Sequence, residues 1–112
     1  MTSKRYVFDI DGTICTVTEG NYEQAEPFPN RILAINALYE AGNSITLYTA
    51  RGMGSSDNDC ESAILKWEIL TRNQLVTWGV KYHSLFMCKP AGDIYIDDKA
   101  IKDTEFFSSL NC

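Results

Sequence analysis

Short apolar runs, separated by segments of helical length and each closed by polar residues, constrain this chain more than any other feature. Tyr6-Val7-Phe8 with Ile10 is an unbroken apolar run ended by a turn signal, the pattern of a short buried strand. Asn30 opens a helix after Pro29, with Ile32, Ile35, Leu38 and Tyr39 on one face and Gly42 placed to end it. Ser44–Tyr48 is a second strand that runs into the polar, glycine-rich loop Thr49–Gly54. Ser55-Ser56-Asp57 then reads as a cap for a long amphipathic helix reaching about Trp78, with Ile64, Trp67, Thr71, Leu75 and Trp78 at helical spacing and Gly79 closing it. The two tryptophans are expected in the core. A third strand is expected over 81–87, a fourth over Asp93–Ile96, and a terminal helix over Asp103–Leu110. Strand and helix in alternation predict an α/β fold with a mostly parallel sheet and flanking helices.

At 112 residues the chain has room for one domain, 1–112, and none for a separate substrate-covering domain, so a functional site must lie in loops. The longest connection, Thr13–Pro29, is the natural flap, because long loops in compact domains tend to be functional. The formal net charge of −5 argues against binding nucleic acid by phosphate neutralisation. No run is long enough to cross a bilayer, and the start of the chain leads into a strand instead of a signal-peptide core, so a cytoplasmic location is expected. Cys15, Cys60, Cys88 and Cys112 are scattered without a C-x-x-C pair, beside a single histidine, His83. Zinc is therefore not expected, and the cysteines read as reduced thiols in a reducing compartment. His83 reads as a packed or surface histidine.

In open parallel sheets ligands bind beyond the carboxyl ends of the strands. Here the strand ends carry Asp9 and Asp11, then Thr49 and Arg51, then Lys89, then Asp97 and Asp98. Each has an ordinary explanation as a strand terminus; together they place four carboxylates with one lysine and one arginine on one edge. Carboxylates crowded in this way repel or take up protons, which calls for a divalent cation. Oxygen donors without a histidine or thiolate pair suit Mg²⁺, and a metal, a lysine and a hydroxyl around one carboxylate make a place for phosphate.

D-I-D-G-T after an apolar strand, T-A-R after the second, then K-P, then I-D-D: in this order the motifs resemble those of the haloacid dehalogenase (HAD) superfamily of phosphohydrolases, from Asp9 to Asp98. The resemblance implies a Rossmannoid domain. With no cap domain between the motifs, the chain looks most like the small capless members, including phosphatase-like proteins of bacterial capsule and surface-polysaccharide loci. It further implies Asp9 as a nucleophile that forms an aspartyl-phosphate, and Asp11 as the general acid and base. Gly12, Thr49 and the backbone at Ala50 would hold phosphoryl oxygens, and Lys89 would neutralise the transferring group. Mg²⁺ would be bound by Asp9, the Asp11 carbonyl and the I-D-D pair, with Asp98 the nearer ligand and Asp97 its partner, or the reverse.

Arg51 is a candidate for substrate contact, while Glu19, Glu23 and Glu26 of the flap read as a solvated face. The expected substrate is a small phosphorylated molecule, first of all a sugar phosphate of polysaccharide biosynthesis, with no nucleic acid or membrane partner and with homo-oligomerisation as one way to close an uncapped site. Two other classes remain open on sequence: a catalytically silent module that keeps the fold, and a receiver-like phospho-acceptor domain. A receiver, however, places its acidic pair in the first strand and its acceptor in a central one, whereas here D-x-D-G-T comes first and D-D last.

Overall fold

Three parallel strands carry the molecule. In the computed structural model, which describes residues 3–112, they are β1 (Arg5–Phe8), β2 (Ser44–Tyr48) and β3 (Ser84–Phe86), hydrogen-bonded in the order β1-β2-β3. Parallel neighbours cannot be joined by a tight turn. Helix α1 (Pro29–Glu40) makes the first crossover, helix α2 (Cys60–Thr77) the second, and helix α3 (Asp103–Ser109) follows the sheet.

Register explains the core. Phe8 lies beside Leu47, and Leu47 beside Leu85. These residues, with Ile10 and Ile45, are buried with Ile32 and Ile35 of α1, Leu75 of α2 and Phe107 of α3. The intervening residues point the other way, as the twofold period of a strand requires. Val7 is 64% exposed and Phe86 57%. The result is a small α/β domain of Rossmannoid type, a parallel three-stranded sheet whose three α-helices all feed one core.

The helices start and stop for local reasons. Pro29 stands in the first turn of α1, where its missing N–H costs nothing, and Gly42 turns the chain out at φ +94°. Helix α2 begins later than the Ser55-Ser56-Asp57 cluster suggests. Asp57 and Asn58 both adopt positive φ, so the cap is Asp59, whose side chain accepts from the Ser62 N–H. Trp67 and Trp78 pack against the core as expected. Gly79 (φ +70°) closes the helix, and His83 packs on the Tyr39 ring with its Nδ1 accepting from the Ile45 N–H.

Two expectations are corrected. The fourth strand is not formed: Asp93–Ile96 has strand composition but no backbone partner, and residues 91–100 are all exposed without regular structure. Nor are the cysteines all reduced thiols. Cys60, the first residue of α2, and Cys88, just past β3, form a disulfide with their Cα atoms 5.1 Å apart. The α2 crossover folds back and brings together residues whose spacing in the chain signals nothing. The pairing removes free thiols as an argument for a reducing compartment. Among the described residues no helix is long and apolar enough to cross a membrane.

Candidate functional site

The chain turns sharply where β1 ends. The carbonyl of Ile10 accepts from the N–H groups of Thr13, Ile14 and Cys15, and Gly12 completes the turn at φ +85°. Ile14 and Cys15 are thereby driven into the core, while the side chains of Asp9 and Asp11 flank a cavity of about 230 Å³. Its other walls are Val17 to Gly20 and Tyr22 of the 13–29 loop, Ala50 and Arg51 after β2, and Lys89 and Tyr95 after β3. The loop is pinned at its base, where Thr16 N–H donates to the Glu26 carbonyl and Glu26 N–H donates to the Thr16 hydroxyl. Its tip, with Val17 68% exposed, hangs over the cavity.

Asp9 is the carboxylate nearest to Lys89, with Nζ 3.7 Å from Oδ1. Burial raises the Asp9 pKa above the ordinary carboxylate value, and the Lys89 charge opposes that shift. Lys89 is held from two sides: its N–H donates to the Thr49 carbonyl, and its ammonium sits 4.3 Å from the Tyr95 ring centroid.

Asp11 is bound quite differently. Arg51 Nε donates to its Oδ2 and Nη2 to its Oδ1, both at 3.0 Å, a bidentate fork. The arginine is only 1% exposed, and its Nη1 donates to Thr71 Oγ1 and Gln74 Oε1 of α2. Arg51, expected from the sequence as a substrate contact, stands in the cavity wall and anchors Asp11 from within the protein.

The remaining expected groups also differ in their surroundings. Thr49 is fully buried, and its hydroxyl accepts from the Arg51 N–H. The Gly12 N–H donates to the Cys15 carbonyl at 2.8 Å. Neither residue lines the cavity, whereas Ala50 does. Asp97 and Asp98 are exposed and stand outside the cavity, and among the described residues no three His, Cys, Asp or Glu side chains converge to hold a metal ion. The donors that do converge, the carboxylates of Asp9 and Asp11, are oxygen only, the chemistry that suits Mg²⁺; they make part of a set, not a closed cage.

Sequence reasoning missed Tyr22, Tyr95, Thr71 and Gln74. Tyr22 hides in a loop yet packs its ring on Trp67, lies 5.0 Å from the Arg51 guanidinium, and accepts from the Gly52 N–H. Thr71 sits on the buried face of α2 with Ala63 and Leu75, while Ile64, expected on that face, is exposed; a lone hydroxyl between Trp67 and Leu75 is the available signal that something polar is buried opposite.

No protein-family model matches the chain, and no curated protein matches it in sequence. Among solved structures, a structural-genomics target from Vibrio cholerae superposes with a TM-score of 0.86 at 25% identity, over 94% of this chain and 88% of its own. A second, the D,D-heptose 1,7-bisphosphate phosphatase of B. bronchiseptica complexed with magnesium and phosphate, superposes with a TM-score of 0.54 at 20% identity. That match takes in 87% of this chain and 54% of the phosphatase, so the chain spans about half of the enzyme's length, and the likeness is one of fold.

Proposed function

We propose that the protein is a Mg²⁺-dependent phosphatase acting on a small phosphomonoester through an aspartyl-phosphate. The observation that carries this reading is the meeting of Asp9, Asp11 and Lys89 around one small cavity beyond the carboxyl end of β1. The phosphatase similar in fold, solved with magnesium and phosphate, supports it.

In this reading an Asp9 oxygen attacks phosphorus, the bond from phosphorus to the ester oxygen breaks, and the Asp11 carboxyl passes a proton to that leaving oxygen. Water then attacks the phosphorus of the aspartyl-phosphate, Asp11 takes up its proton, and inorganic phosphate departs with Asp9 restored. Lys89 balances the charge of the transferring group. Ala50, on the cavity wall, offers its backbone to a phosphoryl oxygen; Thr49 and Gly12 shape the two turns that carry these groups. Asp9, the Asp11 carbonyl and the Asp97-Asp98 pair would hold Mg²⁺, which when bound supplies charge neutralisation at the phosphoryl oxygens.

An uncapped cavity of about 230 Å³ suits a compact substrate such as a sugar phosphate, and a cytoplasmic homo-oligomer acting in polysaccharide biosynthesis belongs to the same reading. A silent binding module is the second reading, favoured by the position of Asp97 and Asp98 away from the cavity.

The test is phosphate release from a panel of phosphomonoesters with Mg²⁺, beside Asp9→Asn. The wild type is expected to release phosphate from at least one sugar phosphate, and Asp9→Asn to lose about 10³-fold or more, as removal of a covalent nucleophile does. Activity that survives Asp9→Asn unchanged overturns the mechanism. No release from any member of the panel favours the silent module.

A further inference from the structure

Arg51 has five N–H donors, and the structure accounts for all of them. Nε donates to Asp11 Oδ2, and Nη2 to Asp11 Oδ1 and, at 3.7 Å, to Cys15 Sγ. Nη1 donates to Thr71 Oγ1 at 3.2 Å and to Gln74 Oε1 at 2.5 Å. Arg51 stands in the cavity wall, yet it is only 1% exposed and its donors are engaged within the protein, which leaves none free for a phosphate. A carboxylate, by contrast, has about four lone-pair positions, and the fork takes one on each Asp11 oxygen. The Cys15 thiol lies 3.5 Å from Oδ1 and takes up a second position there, so it is Oδ2 that keeps a lone pair for a group in the cavity that Asp11 lines. Gln74 adds a second link. While its Oε1 accepts from Arg51, its Nε2 donates at 2.7 Å to the carbonyl of Tyr22, in the loop over the cavity.

We infer that Arg51 is a positioning residue: its fork sets the Asp11 carboxylate at the cavity wall, and Gln74 ties that fork to the 13–29 loop, so that loop and acid–base group are held as one unit. The kinetic part of this inference rests on the phosphatase reading. Its structural part does not.

Arg51→Lys keeps the charge and loses the fork, and Gln74→Met leaves Arg51 in place but cuts its tie to Tyr22. Arg51→Lys is expected to lower kcat about tenfold to a hundredfold, the usual cost of a slightly misplaced group, while KM changes by less than about twofold because no substrate contact is removed. Gln74→Met is expected to act in the same direction with a smaller loss, which keeps the proposal open to test should Arg51→Lys fail to fold. A rise in KM with kcat unchanged makes Arg51 a substrate ligand and overturns the inference; so do unchanged values of both.

A second measurement needs no activity. The Nε–H signal of Arg51 in a ¹⁵N NMR spectrum is expected to exchange slowly, to shift or vanish in Asp11→Asn, and to stay in place when millimolar inorganic phosphate is added. A signal that moves with phosphate, or ignores Asp11→Asn, overturns the fork as the residue's role. If no phosphomonoester is hydrolysed while this signature holds, the function fails and the positioning geometry stands.

Discussion

At the scale of single residues, Cys15 shows how closely this site is bound to the core. Its Sγ lies 3.5 Å from Asp11 Oδ1 and 3.7 Å from Arg51 Nη2, with no exposure to solvent. Burial above all, and then the Asp11 charge, pushes the thiol up to about 12. A thiol reacts as its thiolate. Below that pKa the group stays neutral, so at pH 8 both burial and protonation protect it. Cys112 is exposed, and Cys60 and Cys88 are paired. Native protein without reductant is therefore expected to react with a thiol reagent once per chain, at Cys112, and denatured protein twice, with Cys15 the second site identified by peptide mass spectrometry. Fast native labelling of Cys15 would show that the turn after β1 opens, and labelling of Cys60 or Cys88 that the disulfide does not form.

At the scale of elements, the turn after β2 and helix α2 meet with little room to spare. Gly52 has φ +79°, and a Cβ there would lie 2.5 Å from Trp67 Cδ1 and 3.1 Å from the Ala63 backbone. Its N–H donates to the Tyr22 hydroxyl, so one glycine joins the turn, the helix and the loop. Gly52→Ala is expected to destabilise the fold by about 1–3 kcal/mol, the cost of a left-handed backbone on a non-glycine residue together with a forced shift of neighbours. The midpoint of urea denaturation measures it, and an unchanged midpoint would mean that α2 is not seated against the turn as described.

What the sequence discloses at this scale follows from how local each signal is. Strands β1 and β2 and helices α1 and α2 are readable because their apolar spacing is carried within the element. So are Asp9, Asp11 and Lys89, which stand where strands end. The role of Arg51 is not readable, since its acceptors Thr71 and Gln74 lie 20 and 23 residues further on and Asp11 lies 40 residues back. Nor is the Cys60–Cys88 pair, 28 residues apart and joined by the fold of a crossover. The I-Y-I run fails as a strand for a related reason: β-branched and aromatic composition favours extended backbone but supplies no partner for it.

At the scale of the whole molecule, the sheet is covered on one face only. Parallel sheets are ordinarily packed on both, yet here the opposite face, with Val7, Thr46, Tyr48 and Phe86, lies open. Central β2 is hydrogen-bonded on both sides, whereas β1 and β3 are edges. The stretch after β3 leaves Ile94 79% and Ile96 95% exposed. Amide hydrogen exchange reads these differences directly, because protection follows backbone bonding and burial. Ile45 and Leu47 of β2 are expected to exchange most slowly, β1 and β3 faster, and residues 94–100 at nearly the rate of an unstructured peptide, apart from the Lys99 N–H that donates to Asp97 Oδ1. Strong protection of Ile94–Ile96 in the free protein would instead mean a fourth strand paired at an edge of the sheet. Since the proposed Mg²⁺ set draws on Asp97 and Asp98, adding Mg²⁺ with inorganic phosphate is expected to slow exchange at 94–99 and to leave β2 as it was. If those amides exchange just as fast with the ion present, the I-D-D pair takes no part in binding it, and the metal must be held by Asp9 and Asp11 with water alone.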